Sequence, residues 1–206
     1  MKKHRGYRRG SIFMKFHYKG KFSGDPDDLP YLEHEPGAVP FDEPQDPKKL
    51  GLIANGIALV IAIAALVILF LRGGLTAFNP IGCILMLLTL FPHELLHAVC
   101  FRDDVYMYTN LKHGMLFVVG PERMSKGRFV FMSLLPNIVF GFIPFAIYLI
   151  WPEHTILGTM GALSISAGAG DFLNVFNALT QMPKGAKTYL HKFNSFWYMP
   201  ENGDMK

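Results

Sequence analysis

Four long apolar segments follow one another in the second part of the chain. They cover residues 51–71, 81–101, 129–151 and 155–182, and each is long enough to cross a hydrocarbon layer about 30 Å thick as a helix. Backbone polar groups inside a bilayer must bond to one another, so we predict that all four are helices. Core helices of a globular domain would explain one or two such segments, but four of this length favour a membrane. The predicted fold class is an all-α integral membrane protein with four transmembrane helices.

The polar segments show other patterns. Residues 105–119 alternate around a polar turn, which predicts a cytoplasmic β-hairpin between helices two and three. Weaker alternation in residues 11–22 suggests a second short hairpin. The segment before the first helix is rich in proline and acidic residues, which is typical of an exposed linker. We therefore divide the chain into a basic N-terminal tail (1–23), a linker (24–49), a four-helix membrane domain (50–182) and a cytoplasmic C-terminal tail (183–206).

Positive charge is distributed unevenly along the chain. Half of the 206 residues are hydrophobic and the net charge is +4, a composition too apolar for a typical soluble domain of this length. Basic residues are concentrated in both tails and in the 102–128 loop. The positive-inside rule then predicts that both termini and this loop lie in the cytoplasm. We expect the membrane to be the plasma membrane. A basic tail beside membrane helices favours anionic lipid headgroups, and we predict no nucleic-acid partner.

The second apolar segment contains the sequence FPHELLHAVCF, residues 91–101, in which His93, Glu94 and His97 form an H-E-x-x-H motif. Positions i and i+4 share a helix face, so both histidines can reach one metal ion. Neutral imidazole is a good zinc ligand, and the glutamate then stands beside a zinc-bound water as its general base. The motif alone occurs by chance in many proteins. Ionisable side chains within a membrane helix are energetically unfavourable, however, and usually mark a functional site.

A catalytic zinc ion needs a third protein ligand, and two acidic residues are candidates. At about 1.5 Å per residue, His93 and His97 lie roughly 7 to 14 Å from the inner end of their helix, and Asp171 lies at a similar depth of roughly 14 Å. Glu122 belongs to the polar loop and would have to enter the membrane to join them. We therefore predict a zinc site of His93, His97 and Asp171. Glu122 and the thiol of Cys100 remain alternatives.

Two intramembrane amides accompany this cluster. Asn137 follows Pro136, which should kink the third helix, and lies at a comparable depth of roughly 12 Å. We predict a catalytic role in which Asn137 donates to a substrate carbonyl or its oxyanion, with a helix–helix hydrogen bond as the alternative. Asn174 lies one turn beyond Asp171 and either orients that carboxylate or bonds to another helix. Small residues in 158–170 favour close helix packing there.

Several segments together resemble a known family. The sequences HELLHAVCF, GRFVFMSLLPNIVFG, SAGAGDFLNVFNALTQMPKGA and HKFNSFWY are similar to the domain of unknown function 3267 family, described as zincin-type peptidases of the membrane. The resemblance covers about residues 75 to 200. More distantly, the chain is similar to the site-2 intramembrane metalloproteases. That likeness implies His93, His97 and Asp171 as zinc ligands and Glu94 as the catalyst. The chain has GAGD where the site-2 group has a leucine-aspartate-glycine turn, which affects substrate handling more than metal binding.

These features predict a zinc-dependent membrane-embedded peptidase that hydrolyses a peptide bond of a membrane-associated protein or peptide. Glu94 would be the general base, and the 105–119 hairpin would hold an extended substrate segment by edge pairing. Two other classes remain open. A non-catalytic metal-binding membrane protein, either a pseudoprotease or a metal carrier, would keep the ligands without needing Glu94. A purely structural membrane scaffold would bind no metal.

Overall fold

The structure is a computed structural model that describes residues 15–110 and 115–200. The first two apolar segments form continuous helices, α1 (Pro47–Gly73) and α2 (Pro80–Ala98). Both begin in the same way, with an Asp or Asn whose side chain accepts a hydrogen bond from the helix and a proline in the first turn. Such caps satisfy otherwise unpaired backbone N–H groups, and proline lacks one of these groups. The start of each helix is therefore encoded locally.

The third and fourth apolar segments are interrupted helices. The third comprises α3 (Lys126–Pro136), a π-helical turn (Asn137–Phe142) and α4 (Ile143–Ile150). The fourth comprises α5 (Thr155–Ala167) and α6 (Ala169–Gln181), which are bent by 52° relative to each other. By length and composition, three of the described helical units could cross a membrane, or four if the bent pair is one span. The expected number of helical segments is thus found. The π-helical turn of the third directly follows Pro136, where an irregularity was predicted, whereas the bend in the fourth was not expected.

Helix α5 lies at the centre of the helical part and packs against α1, α2 and α4. Small residues allow these contacts. A Cβ atom added to Gly161 would lie 2.6 Å from the backbone nitrogen of Phe145, and one added to Gly82 would lie 2.6 Å from the carbonyl oxygen of Ile156. The helices therefore approach each other with their backbones almost in contact, as the run of small residues predicts.

Two β-sheets accompany the helices. The three-stranded sheet has the order β1-β3-β4, with β1 (Phe16–Lys21) parallel to β3 (Val105–Asn110) and β4 (Met115–Val119) antiparallel to β3. The predicted 105–119 hairpin is therefore present in its two strands, whereas its turn, residues 111–114, lies outside the described residues. Of the hairpin suggested for residues 11–22, the described residues 16–21 form a single strand that pairs with β3. Residues 11–14 lie outside the described part of the chain.

The second sheet is built largely from the C-terminal segment. It has the order β2-β7-β6-β5, all antiparallel. Its strands are β2 (Val39–Pro40), β5 (Met124–Ser125), β6 (Lys187–His191) and β7 (Asn194–Tyr198). The fold is mostly helical, and the prediction of a purely all-α protein is wrong, because strands far apart in the sequence pair to form both sheets.

The segment before α1 joins the two sheets. Phe22 and Leu29 are buried with residues of the first sheet, Leu32 packs on β6 and β7, and Phe41 packs against the end of α6. These side chains are at most 6% exposed. Leu29, Leu32 and Phe41 belong to the predicted linker, and for them the expectation of exposure is wrong. The beginning of α1, the end of α2, the beginning of α3 and the end of α6 all lie at the end of the helical part that carries the sheets.

Candidate metal centre

His93 and His97 meet on one face of α2. Their Nε2 atoms are 3.2 Å apart, as the i, i+4 spacing predicts. The Nδ1 atom of His97 lies 3.0 Å from the backbone carbonyl of Met132 in α3. A carbonyl only accepts hydrogen bonds, so this contact places a proton on Nδ1, and in the neutral ring Nε2 then carries the lone pair. Helix α3 therefore holds His97 in the tautomer that a metal ligand requires.

Asp171, in the first turn of α6, completes a three-residue cluster. Its Oδ2 atom lies 3.2 Å from His93 Nε2, and its Oδ1 atom lies 3.3 Å from His97 Nε2. The bend between α5 and α6 begins a new helix at Ala169, so Asp171 projects from a fresh N-terminal turn. The structure therefore brings together the three residues that were predicted as ligands, from two helices that are distant in sequence.

The spacing of these atoms fits a zinc ion. Zinc bonds to nitrogen and oxygen at about 2.0–2.1 Å, so two ligand atoms of a tetrahedral site lie roughly 3.3 Å apart. The two Nε2 atoms are 3.2 Å apart, and each lies 3.2 or 3.3 Å from a different oxygen of the Asp171 carboxylate. The carboxylate oxygens and both Nε2 atoms converge there, and positive charge, either a bound metal ion or a protonated imidazole, favours this arrangement. The three side chains are 12–17% exposed, so the site is largely buried but still accessible to solvent.

Glu94 lies between these histidines and the edge of the first sheet. Its carboxylate and the ligand nitrogens of His93 and His97 all lie within 4.8 Å of one another. The carboxylate also accepts a hydrogen bond from the backbone N–H of Val118 in β4. Since this N–H points toward α2, the outer edge of β4 faces the site. Sequence reasoning missed Val118, because a main-chain donor leaves no signal in the residue type.

Asn137 contacts the cluster through Asp171. Its Nδ2 atom donates to Asp171 Oδ2 at 2.7 Å and to the carbonyl of Ser133 at 3.3 Å. Both amide hydrogens are therefore in use, which does not favour the predicted donation to a substrate oxyanion. Asn174 lies further along α6, and within the described residues it is Asn137 that bonds to Asp171. Asn137 thus makes the contact with Asp171 that was considered for Asn174.

Glu122 and Cys100, the alternative ligands, are engaged elsewhere. Glu122 is buried, and it accepts hydrogen bonds from the backbone N–H groups of Arg102 and Asp103 at 2.6 and 3.2 Å and from Arg128 at 2.5 Å. It joins the end of α2 to the beginning of α3. The thiol of Cys100 lies 3.4 Å from the carbonyl of Leu96, one helical turn back. Among the described residues, the group whose ligand atoms lie close enough together to hold one metal ion is His93, Glu94 and His97, and neither Glu122 nor Cys100 belongs to it.

Comparison with known proteins gives one match. Residues 86–187, which include all of His93, Glu94, His97 and Asp171, match the domain of unknown function 3267 family, whose description is "Putative zincin peptidase". Neither the curated proteins nor the solved structures contain a match. The more distant similarity to site-2 proteases therefore stays a prediction. The match to this family therefore covers the segment of the chain that carries the candidate metal site.

Proposed function

We propose that this protein is a zinc-dependent peptidase embedded in a membrane, which hydrolyses a peptide bond of a membrane-associated protein or peptide. The observation that carries the proposal is the convergence of His93, His97 and Asp171 at donor separations of 3.2–3.3 Å, with Glu94 beside them. The zincin description of the family supports the same chemistry.

His93, His97 and Asp171 would hold the zinc ion. When bound there, zinc supplies Lewis acidity and lowers the pKa of water toward about 7. Glu94 takes the proton of the attacking water and passes it to the leaving amine when the C–N bond of the peptide breaks. Met132 and Asn137 act on ligands rather than on substrate, since their contacts are with His97 and Asp171.

The exposed apolar surface of the helices supports insertion into a bilayer. Large side chains along the outer faces of α1 and α2 are exposed, including Leu59 at 62%, Leu71 at 83% and Leu88 at 66%. Lipid chains would cover such surfaces. With the basic loop on the cytoplasmic side, the two sheets, both chain ends and the mouth of the site would face the cytoplasm. The basic residues nearby would then meet anionic lipid headgroups.

The outer edge of β4 is suited to hold a substrate. Strand alternation places the backbone N–H and C=O of Leu116 on the same edge as the Val118 N–H that faces Glu94. An extended substrate segment could pair with this edge and bring its scissile bond to the site. Leu116→Pro removes one edge N–H and should lower kcat/KM roughly 2- to 10-fold. Leu116→Ala is the control, and equal kcat/KM values for the two variants would exclude edge pairing.

Metal content and hydrolysis measured on the same preparations test the proposed function. The detergent-purified protein should hold about one zinc per chain. Asp171→Ala should lose the metal, whereas Glu94→Gln should keep it and lose roughly 10²- to 10⁴-fold in the cleavage of single-span reporter proteins reconstituted in vesicles. The exposed Glu153 gives a matched control as Glu153→Gln.

Each alternative has its own outcome in this experiment. Stoichiometric zinc without any cleavage of the reporters, in the wild type as in Glu94→Gln, would indicate a pseudoprotease or metal carrier. If the wild-type protein contains no zinc even after zinc is supplied, the proposed zinc chemistry is excluded and the structural membrane scaffold is the remaining alternative.

A further inference from the structure

Asn137 lies in an unusual place for a polar side chain. It is 1% exposed and begins the π-helical turn that follows Pro136. Its backbone N–H bonds to the carbonyl of Leu134 rather than to that of Ser133, four residues back. The Ser133 carbonyl is therefore available to the Asn137 side chain, which bonds to it at 3.3 Å. Such widened turns are frequent at functional sites.

The orientation of the Asn137 amide is determined by its partners. The Asp171 carboxylate and the Ser133 carbonyl are both acceptors, so the atom facing them must be the donor Nδ2. The opposite atom, Oδ1, is buried and has no hydrogen-bond partner. Leaving a buried acceptor unpaired is unfavourable, because the atom loses its hydrogen bonds to water. The 2.7 Å hydrogen bond from Nδ2 to the charged Asp171 carboxylate is a strong one and offsets the cost of the unpaired Oδ1.

Gly168 provides the space that Asn137 occupies. It lies at the bend between α5 and α6, and a Cβ atom added there would lie 2.6 Å from Asn137 Nδ2 and closer still to Oδ1. Gly170, two residues further on and next to Asp171, has nothing within 4 Å of an added Cβ. The two glycines therefore differ sharply. Only at position 168 would a side chain collide with the amide.

We infer that Asn137, seated against Gly168, is a positioning residue that orients the Asp171 carboxylate toward the two histidines. The inference rests on the metal site of the proposed function. Asp171 Oδ2 is shared by Asn137 and His93, while Oδ1 faces His97, so the amide sets the rotation of the carboxylate plane. Fixing a ligand before the metal binds raises affinity, and losing such a partner typically weakens metal binding 10- to 100-fold.

Zinc affinity, measured by competition with a chromophoric chelator on the detergent-purified full chain, tests this inference. Asn137→Ala should raise the Kd for zinc 10- to 100-fold. Gly168→Ala should also raise the Kd for zinc, while Gly170→Ala should leave this Kd unchanged. Asn177→Ala is a second control, because Asn177 is a buried amide that bonds to Glu43 and Gln181 rather than to the site.

Two further measurements separate positioning from a general loss of structure. In the Asn137→Ala background, Gly168→Ala should add little, because the amide with which its methyl group collides is gone. The visible spectrum of the cobalt-substituted protein should change in Asn137→Ala and stay unchanged in Gly170→Ala, since it reports the arrangement of the ligands. Equal zinc Kd values for Gly168→Ala and Gly170→Ala, or additive effects in the double variant, would overturn the inference.

The outcomes also distinguish this inference from the proposed function. Wild-type protein that binds zinc but cleaves no reporter contradicts the peptidase, while the Kd ratios still decide the role of Asn137. Wild-type protein that binds no zinc overturns both. If Asn137→Ala does not fold, the comparison of Gly168→Ala with Gly170→Ala carries the test alone.

Discussion

The buried carboxylate of Glu122 offers a direct test of which acidic residue serves the metal and which serves the fold. We predict that Glu122→Ala destabilises the protein and leaves its zinc content unchanged. The side chain is 6% exposed, and its removal takes away three hydrogen bonds, including the ion pair with Arg128. The end of α2 would then lose its connection to α3.

The magnitude follows from what remains after the change. Breaking a buried ion pair by removing one partner destabilises by about 3–5 kcal/mol. Arg128 is 25% exposed and still donates to the carbonyl of Cys100 at 2.9 Å, so its charge keeps some compensation. We therefore expect the lower end, about 3 kcal/mol, which is roughly a hundredfold in the folding equilibrium.

Unfolding in detergent, followed by circular dichroism, and elemental analysis of the same samples would measure both quantities. Glu153→Ala, at an exposed acid in another loop, should match the wild type in each. A wild-type unfolding transition for Glu122→Ala would refute the anchoring role. Loss of zinc from folded Glu122→Ala, with zinc kept by Asp171→Ala, would move the third ligand into the loop and refute the assignment of the site.

Two other predictions concern the regions around the site. Burial raises the pKa of Glu43, whose carboxyl accepts a hydrogen bond from the Ser195 N–H at 3.0 Å. Because the pKa of Glu43 is higher in the folded than in the unfolded protein, this carboxyl contributes to folding stability at pH values below its ordinary pKa of about 4.3. The contribution is lost as the pH rises through the raised pKa. Glu43→Gln should therefore gain stability relative to the wild type as pH rises, and a pH-independent difference in unfolding midpoints would contradict this. Gly161→Ala places a methyl group against three backbone atoms of the neighbouring helical segment and should destabilise by about 1–3 kcal/mol. At Gly127, where an added Cβ meets nothing within 4 Å, the same change should stay within about 0.5 kcal/mol, and equal unfolding midpoints for the two variants would rule out the close packing.

Local patterns in the sequence determined where the first helices begin and which residues of the candidate site share a helix face or a depth. Asp46 and Asn79, each followed by proline, mark where α1 and α2 begin, because capping depends only on neighbouring residues. The spacing of His93 and His97 places both on one helix face for the same reason. Counting residues from the helix ends also placed Asp171 at the level of the histidines, since helical rise is constant.

Tertiary structure decided which strands pair and where the helices are broken, which the apolar pattern does not specify. Strand β1 pairs with β3 about ninety residues later, and such pairing depends on which backbones meet after folding. The hydrophobicity pattern also fails to indicate the bend at Gly168 and the widened turn at Asn137, since both lie inside uniformly apolar or small-residue segments. These two breaks bring the amide and the carboxylate to 2.7 Å. The sequence alone therefore determined which residues share a helix face and a depth, whereas packing of the broken helices decided which of them touch.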